Sequence, residues 1–258
     1  MKIGFIGTGQ ITKAVVTGVI NSKLKISQIF VSERNKKISR ILKFKSKKIK
    51  IIKNNQDIIN KSDWIFLAVT PTVGNKILNN LKFNKNKLII SFISTINLTQ
   101  LKKITGLKSN IVRAIPLPPI AFCKGPVPIY PPNSKVKKFF DKLGSTVEIR
   151  NEKLSLNFWT TSAMMAPFYE ILYSLSNWLI KRGIKKENAQ KYISSLFLAL
   201  SEDAFNHKKN LKRLIRESQT PGGLNEQAVK DLRKAGFYRL LEKTSNRIIK
   251  RLNKSQSN

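Results

Sequence analysis

Two glycine-bearing stretches, far apart in the chain, hold the chemistry that residue types and spacing reveal. The first is GFIGTGQITKAV, where Gly7, Gly9 and Thr12 fall in a G-x-G-x-x-G frame between a short apolar run and a helical pattern. Glycine at the first position permits a tight turn, and at the second it lets backbone approach a pyrophosphate. The helix that follows offers amides without helical partners. Thr8, Gln10 and Ile11 fill the intervening positions, so residues 7–11 form the expected phosphate-facing loop. Thr12 stands where Gly or Ala would let helix and strand pack closely, which predicts a helix set slightly farther out. The second stretch, ESQTPGGLNEQ, puts Pro221, Gly222 and Gly223 together in a region that otherwise reads as helix. A plain turn is one reading. The other is a helix start, with Thr220 as N-cap, Pro221 at the first helical position, and the amides of Gly222, Gly223 and Leu224 left for an anion.

A dinucleotide also needs a partner for its adenine ribose at the end of the second strand, and VSERN supplies two kinds. Glu33 has the spacing of an acid that holds a ribose 2′-hydroxyl, whereas Ser32 and Arg34, with Asn35, could cradle a 2′-phosphate. Arg34 and the neighbouring Lys36 and Lys37 favour NADP(H), with NAD(H) as the alternative; a solvated charged loop is the simpler account of the two lysines. In LAVTPTV, residues Ala68, Val69, Thr70 and Pro71 stand at a strand's carboxyl end, where ligands of open α/β sheets lie. The lone Cys123 and lone His207 form no motif, so neither a disulfide nor a Cys/His metal site is expected.

The elements that must position these residues alternate over the first half. KIGFIG, QIFVSE, KIKIIK, DWIFLAV, KLIISFIS, NIVRAIP and STVEIR read as strands, and helices are expected over 12–21, 36–43, 72–81 and 97–104. Strand and helix in this order predict an α/β, Rossmann-type N-terminal domain with a mostly parallel sheet. From Leu156 the apolar residues recur three or four apart, and helices are expected over 155–181, 186–206, 208–217, 221–235 and 237–253. The domains are therefore read as 1–152 and an all-α 153–258, with the final NKSQSN disordered.

Composition restrains the list of partners. The net charge of +35 comes from Lys spread through every variable stretch, with no aromatic-basic module, so no specific nucleic acid is expected; a non-catalytic polyanion binder is the third reading. Residues 154–180 carry Asn157, Thr160, Thr161, Glu170 and Asn177, too many polar groups for a bilayer span. The glycines after Lys2 interrupt what a secretory core would keep continuous, so a soluble, cytoplasmic protein is expected.

GFIGTGQIT, LAVTP, VRAIPLPP, APFYEIL and TPGGLNEQAVKDLRKAGF, in that order, resemble pyrroline-5-carboxylate reductase over essentially the whole chain. The resemblance implies reduction of a cyclic imine to proline by NAD(P)H, and a helical domain that dimerises by exchanging helices, with larger assemblies built from such dimers. It also implies that the amides of the Pro-Gly-Gly segment hold the substrate carboxylate, which makes Thr220, Gly222, Gly223 and Leu224 substrate-binding candidates. Asn225 is then the candidate for a hydrogen bond near the ring nitrogen; an amide does not titrate, so its role is orientation. The sequence departs from the family pattern where two hydroxyl residues are replaced by Leu224 and Asn225, where Asn-Thr becomes Leu117-Pro118, and where a small Ser/Gly run becomes Ala163 to Ala166. These changes keep open a related reductase of a different, less polar substrate.

Overall fold

The computed structural model describes residues 1–107, 110–206 and 210–257, without the side chains of 71–73, 75 and 255–257. His207 lies outside the described residues. The chain divides into two compact units, residues 1–159 with 251–258, and residues 160–250.

The strands of the first unit are β1 (Lys2–Ile6), β2 (Gln28–Ser32), β3 (Ile49–Ile52), β4 (Trp64–Leu67), β5 (Leu88–Ser91), β6 (Ile111–Ala114), β7 (Pro126–Tyr130) and β8 (Ser145–Glu148). Around them lie α1 (Gln10–Asn21), α2 (Lys36–Lys45), α3 (Asn55–Lys61), α4 (Pro71–Leu78), α5 (Leu98–Thr105) and α6 (Ser134–Phe140). The strand order is β3-β2-β1-β4-β5-β6-β7-β8, and every neighbouring pair is parallel except β6 with β7. Parallel neighbours need a crossover, and the helices supply it while covering both faces. Val15, Leu42 and Phe139 pack with Phe5 and Val31 on one face; Ile58 and Leu101 pack with Ile6 and Leu67 on the other. Because both faces are covered, the strands read as continuous apolar runs rather than as alternating ones.

Besides a short 3-10 helix over Pro118–Phe122, three elements here were not foreseen. β7 carries Pro126 and Pro128, which lack the amide a ladder normally uses; Pro128 serves through its carbonyl, which accepts from Ile115 N at 3.2 Å. The helices α3 and α6 span seven residues each, too few for a periodic pattern, and are started by the side chains of Asn54 and Asn133, which accept from Gln56 N and Val136 N.

The chain then continues as helices: α7 (Glu152–Ser162), α8 (Met165–Ile180), α9 (Lys186–Asn206), α10 (Leu211–Glu217), α11 (Leu224–Lys234) and α12 (Phe237–Ser257). The single helix expected over 155–181 is two. Pro167 has no amide to donate and its ring would strike the carbonyl of Ala163, so the chain breaks at Ala163-Met164 and restarts with the proline inside the first turn of α8. Among the described residues of the second unit, only Thr160, Ser176, Ala189 and Ile193 are buried. Tyr169, Tyr173, Trp178, Tyr192, Leu198 and Phe205 are exposed. No helix among the described residues is long and apolar enough to cross a membrane.

Candidate functional site

The chain leaves β1 in a turn that only glycine fits. Gly7 has φ +99°, and a Cβ there would stand 2.4 Å from the Ala68 carbonyl oxygen. The closeness follows from topology. β1 and β4 are neighbours at the point where the strand order reverses, so the loops leaving their carboxyl ends run side by side, tied by Ala68 N to Ile6 O at 2.8 Å. Gly9 is the N-cap of α1, has no side-chain cap, and has no atom within 4 Å of its Cβ position. No acidic residue follows in the first turn of α1, and no acceptor is recorded for the amides of Gln10 and Ile11 among the described residues. A helix start of this kind attracts a phosphate through its unpaired amides and its partial positive charge.

A cavity of about 510 Å³ opens in front of this turn, lined by residues 7–9, 34–36 and 68–70. It brings together Gly7, Thr8, Gly9, Arg34, Asn35, Ala68, Val69 and Thr70 from the expected set, and adds Lys36. Lys36, which sequence alone left to solvent, therefore shares this wall with Arg34. Glu33 is not among the lining residues. The side chain of Pro71, the first residue of α4, lies outside the described residues.

The side chains of three of the expected residues do not line the cavity. Ser32 is buried, and its hydroxyl accepts from Gly7 N at 3.1 Å and lies 2.9 Å from Thr8 Oγ1; it braces the glycine turn from behind and does not reach the cavity. Ile11 packs against the core. Gln10 is exposed at the helix start and does not line the cavity. Thr12 is fully buried, and its hydroxyl donates to the Gly7 carbonyl at 2.7 Å, so its extra bulk closes the turn with a hydrogen bond.

Sequence reading also missed the brace on the next loop along the sheet. Arg113, 0% exposed on β6, donates through Nη1 to Glu152 at 2.6 Å and through Nη2 to the Ser94 carbonyl at 2.8 Å, with its guanidinium 5.3 Å from the centre of the Trp159 ring. The same Glu152 oxygen accepts from Leu98 N at 2.7 Å, the first amide of α5. Burial draws the Arg113 pKa down and Glu152 opposes that shift. The pair fastens the β5–α5 loop at the sheet's carboxyl edge. The sole signal for it was a charged residue inside the apolar run NIVRAIP.

The Pro-Gly-Gly segment corrects the expected helix start. Thr220 to Gly223 is a type II turn: Gly223 N donates to Thr220 O at 2.8 Å, Pro221 precedes, and Gly222 takes the left-handed φ of +73°. α11 begins at Leu224 with Gly223 as N-cap, so Thr220 caps nothing and Gly223 N is already paired. Gly222 N is also paired, donating to Glu226 Oε2 at 2.8 Å. The amides without a partner among the described residues are those of Leu224, Asn225 and Glu226, two positions later than the expected Gly222, Gly223 and Leu224. Asn225 donates from its side-chain nitrogen to Ser218 O at 2.9 Å, which leaves its side-chain oxygen as an acceptor with no donor found among the described residues. Leu224 is 84% exposed.

Comparison with known proteins adds to this geometry. Residues 2–95 match the family described as NADP oxidoreductase, coenzyme F420-dependent, and residues 153–255 match pyrroline-5-carboxylate reductase dimerisation. Pyrroline-5-carboxylate reductase 3 of Danio rerio is 24% identical over 248 residues, 92% of this chain and 85% of that protein. Pyrroline-5-carboxylate reductase of Escherichia coli (strain K12) is 24% identical over 250 residues, 92% of this chain and 91% of its own. The crystal structure of Plasmodium falciparum pyrroline carboxylate reductase with NADP bound aligns with a TM-score of 0.85 at 23% identity, covering 99% of this chain and 98% of that one. With a glycine turn and cavity at the reversal of a parallel sheet, and the reductase family's helical segment following in the same chain, the chain belongs to the pyrroline-5-carboxylate reductase family.

Proposed function

We propose that the protein reduces a cyclic imine, 1-pyrroline-5-carboxylate, to L-proline with NADP(H), a step of proline biosynthesis, and that it works in the cytoplasm. The observation that carries this reading is the cavity at the β1–β4 reversal, open in front of Gly9 and bordered by Arg34 and Lys36, in a chain whose other half matches the reductase dimerisation family. The cofactor-binding domain is residues 1–152 and the helical domain residues 153–258.

The residues present fit a dinucleotide phosphate. The amides of Gln10 and Ile11 and the open face of Gly9 suit the diphosphate, Arg34 and Lys36 suit a 2′-phosphate, and residues 68–70 hold the wall beside them. The cofactor supplies a hydride. The protein holds the imine carbon in place and excludes water, since a protonated C=N is already electrophilic. The side-chain oxygen of Asn225 accepts the N–H of that protonated imine, an orienting role without proton transfer. The amides at the start of α11 hold the substrate acid, beginning at Leu224.

The helical unit needs a second copy. With four buried residues among those described between 160 and 250 and a row of exposed aromatics, it has no core of its own to offset the entropy of folding. A homodimer, or a larger assembly built from it, supplies that core.

The experiment is NADPH oxidation by the purified protein with 1-pyrroline-5-carboxylate, with L-proline identified as product. Turnover that depends on both is the expected result. A second reading, a reductase of a less polar imine, is favoured by Leu224, whose apolar side chain is exposed at the start of α11. Turnover of 1-pyrroline with none of the carboxylate would select it, and absence of turnover with either imine would refute both.

A further inference from the structure

The chain itself places a carboxylate where the substrate acid is expected. Glu226, the third residue of α11, accepts from Gly222 N through Oε2 at 2.8 Å and from Lys230 Nζ through Oε1 at 2.9 Å. A glutamate at this position usually reaches back to the amide just before the helix. Here that amide, Gly223 N, is held by Thr220 O in the type II turn, so Glu226 reaches one residue farther. Lys230 first, and then the Gly222 amide, draw its carboxyl pKa below the ordinary value, so it is charged at neutral pH.

The electrostatic consequence is direct. A helix start carries about half a positive charge, and Glu226 sets a full negative charge on it, partly balanced by Lys230 one turn on. An incoming carboxylate must displace Glu226 from Gly222 or settle beside it against like-charge repulsion. The arrangement differs from that of α1, which has no acid in its first turn. It is also not a product of abundance, because the chain has 14 acidic residues against 49 basic ones.

We propose that Glu226 is a specificity-determining residue, a built-in competitor for the anion position at the start of α11 that weakens the hold on a carboxylated imine relative to the same ring without its acid. Lys230 sets how strongly it competes. The inference rests on the reading that the substrate meets the start of α11. Glu226 takes no part in hydride transfer; it acts by occupying Gly222 N and by its charge.

The test compares the full-length protein with Glu226→Gln and Lys230→Met, using 1-pyrroline-5-carboxylate and 1-pyrroline at saturating NADPH. Glu226→Gln is expected to lower KM for the carboxylate roughly two- to fivefold, the range one charge is worth at a helix start. The change falls on KM rather than kcat, and KM for 1-pyrroline stays in place. Lys230→Met, which leaves the carboxylate uncompensated, raises KM for the carboxylate. A KM for the carboxylate that is unchanged or higher in Glu226→Gln, or a parallel shift for 1-pyrroline, overturns the proposal while leaving the reductase reading intact. If no form reduces either imine, the reductase reading fails, and calorimetric titration with L-proline judges Glu226 by itself. Tighter binding to Glu226→Gln supports the role, whereas equal binding, or none in either form, overturns it.

Discussion

The two glycine turns have the same local ingredients and opposite fates. Residues 7–12 are buried on most sides, and the turn is held by Ser32 from behind, by Thr12 from within and by the Ala68 carbonyl in front of Gly7. The helix after it begins with amides that no acceptor among the described residues satisfies, at the mouth of a cavity. Residues 220–226 stand on the surface, with nothing within 4 Å of a Cβ on Gly222, and the chain satisfies two of the three amides expected to be free through its own turn and its own glutamate. A glycine-rich helix start is therefore an anion site only to the degree that its surroundings prevent the chain from filling it.

Substitutions at matched positions test that contrast. Gly7→Val should have the largest effect, because it combines a left-handed φ with a clash against backbone: a loss of roughly 2–4 kcal/mol in urea unfolding, and no NADPH binding by fluorescence titration. Arg34→Ala removes a cavity-lining cation and should weaken NADPH binding about tenfold while leaving NADH binding unchanged, the loss of one charge-assisted contact. Thr12→Val deletes a buried hydroxyl that serves the Gly7 carbonyl and should cost about 1 kcal/mol, read from the same unfolding curves. Gly222→Ala shares the positive φ of Gly7 but meets open space, so it should cost only about 1 kcal/mol and leave NADPH binding intact. A Gly222→Ala protein as damaged as Gly7→Val would erase the contrast. The smallest effect is on acid stability. The folded-state pKa of Glu226 lies below its unfolded one, so its bonds stabilise the fold above the unfolded pKa, and that share is lost as pH falls through the folded value. Glu226→Gln should flatten the acid limb of a pH–stability profile slightly.

The parallel sheet was legible because its strands are buried on both faces, and runs such as DWIFLAV have no other use for so many β-branched and aromatic residues. β7 was hidden by Pro126 and Pro128, residues that argue against a strand until a neighbour accepts them through a carbonyl. The glycine turn at residues 7–9 and its partner at 68–70 were legible as separate signals, each at the end of an apolar run. Ser32 was misjudged for a definite reason: a hydroxyl at the end of β2 has two directions open to it, and only the path of the Gly7 backbone decides that it turns inward. In the Pro-Gly-Gly segment the same residues suit a helix start and a type II turn. The choice hangs on where the carbonyl of Thr220 points, which residue types do not encode.

By itself the sequence determined seven of the eight strands, the longer helices between them, and that a glycine turn follows the first strand, because these depend on side-chain volume, apolar period and backbone freedom at single positions. Only the tertiary structure decided which polar groups were already used. Whether the amides of Gln10, Gly222 or Gly223 are free, and whether Ser32 or Arg34 faces the cavity, depends on atoms from distant or differently oriented segments brought within about 3 Å, and hydrogen bonding is satisfied in space rather than along the chain.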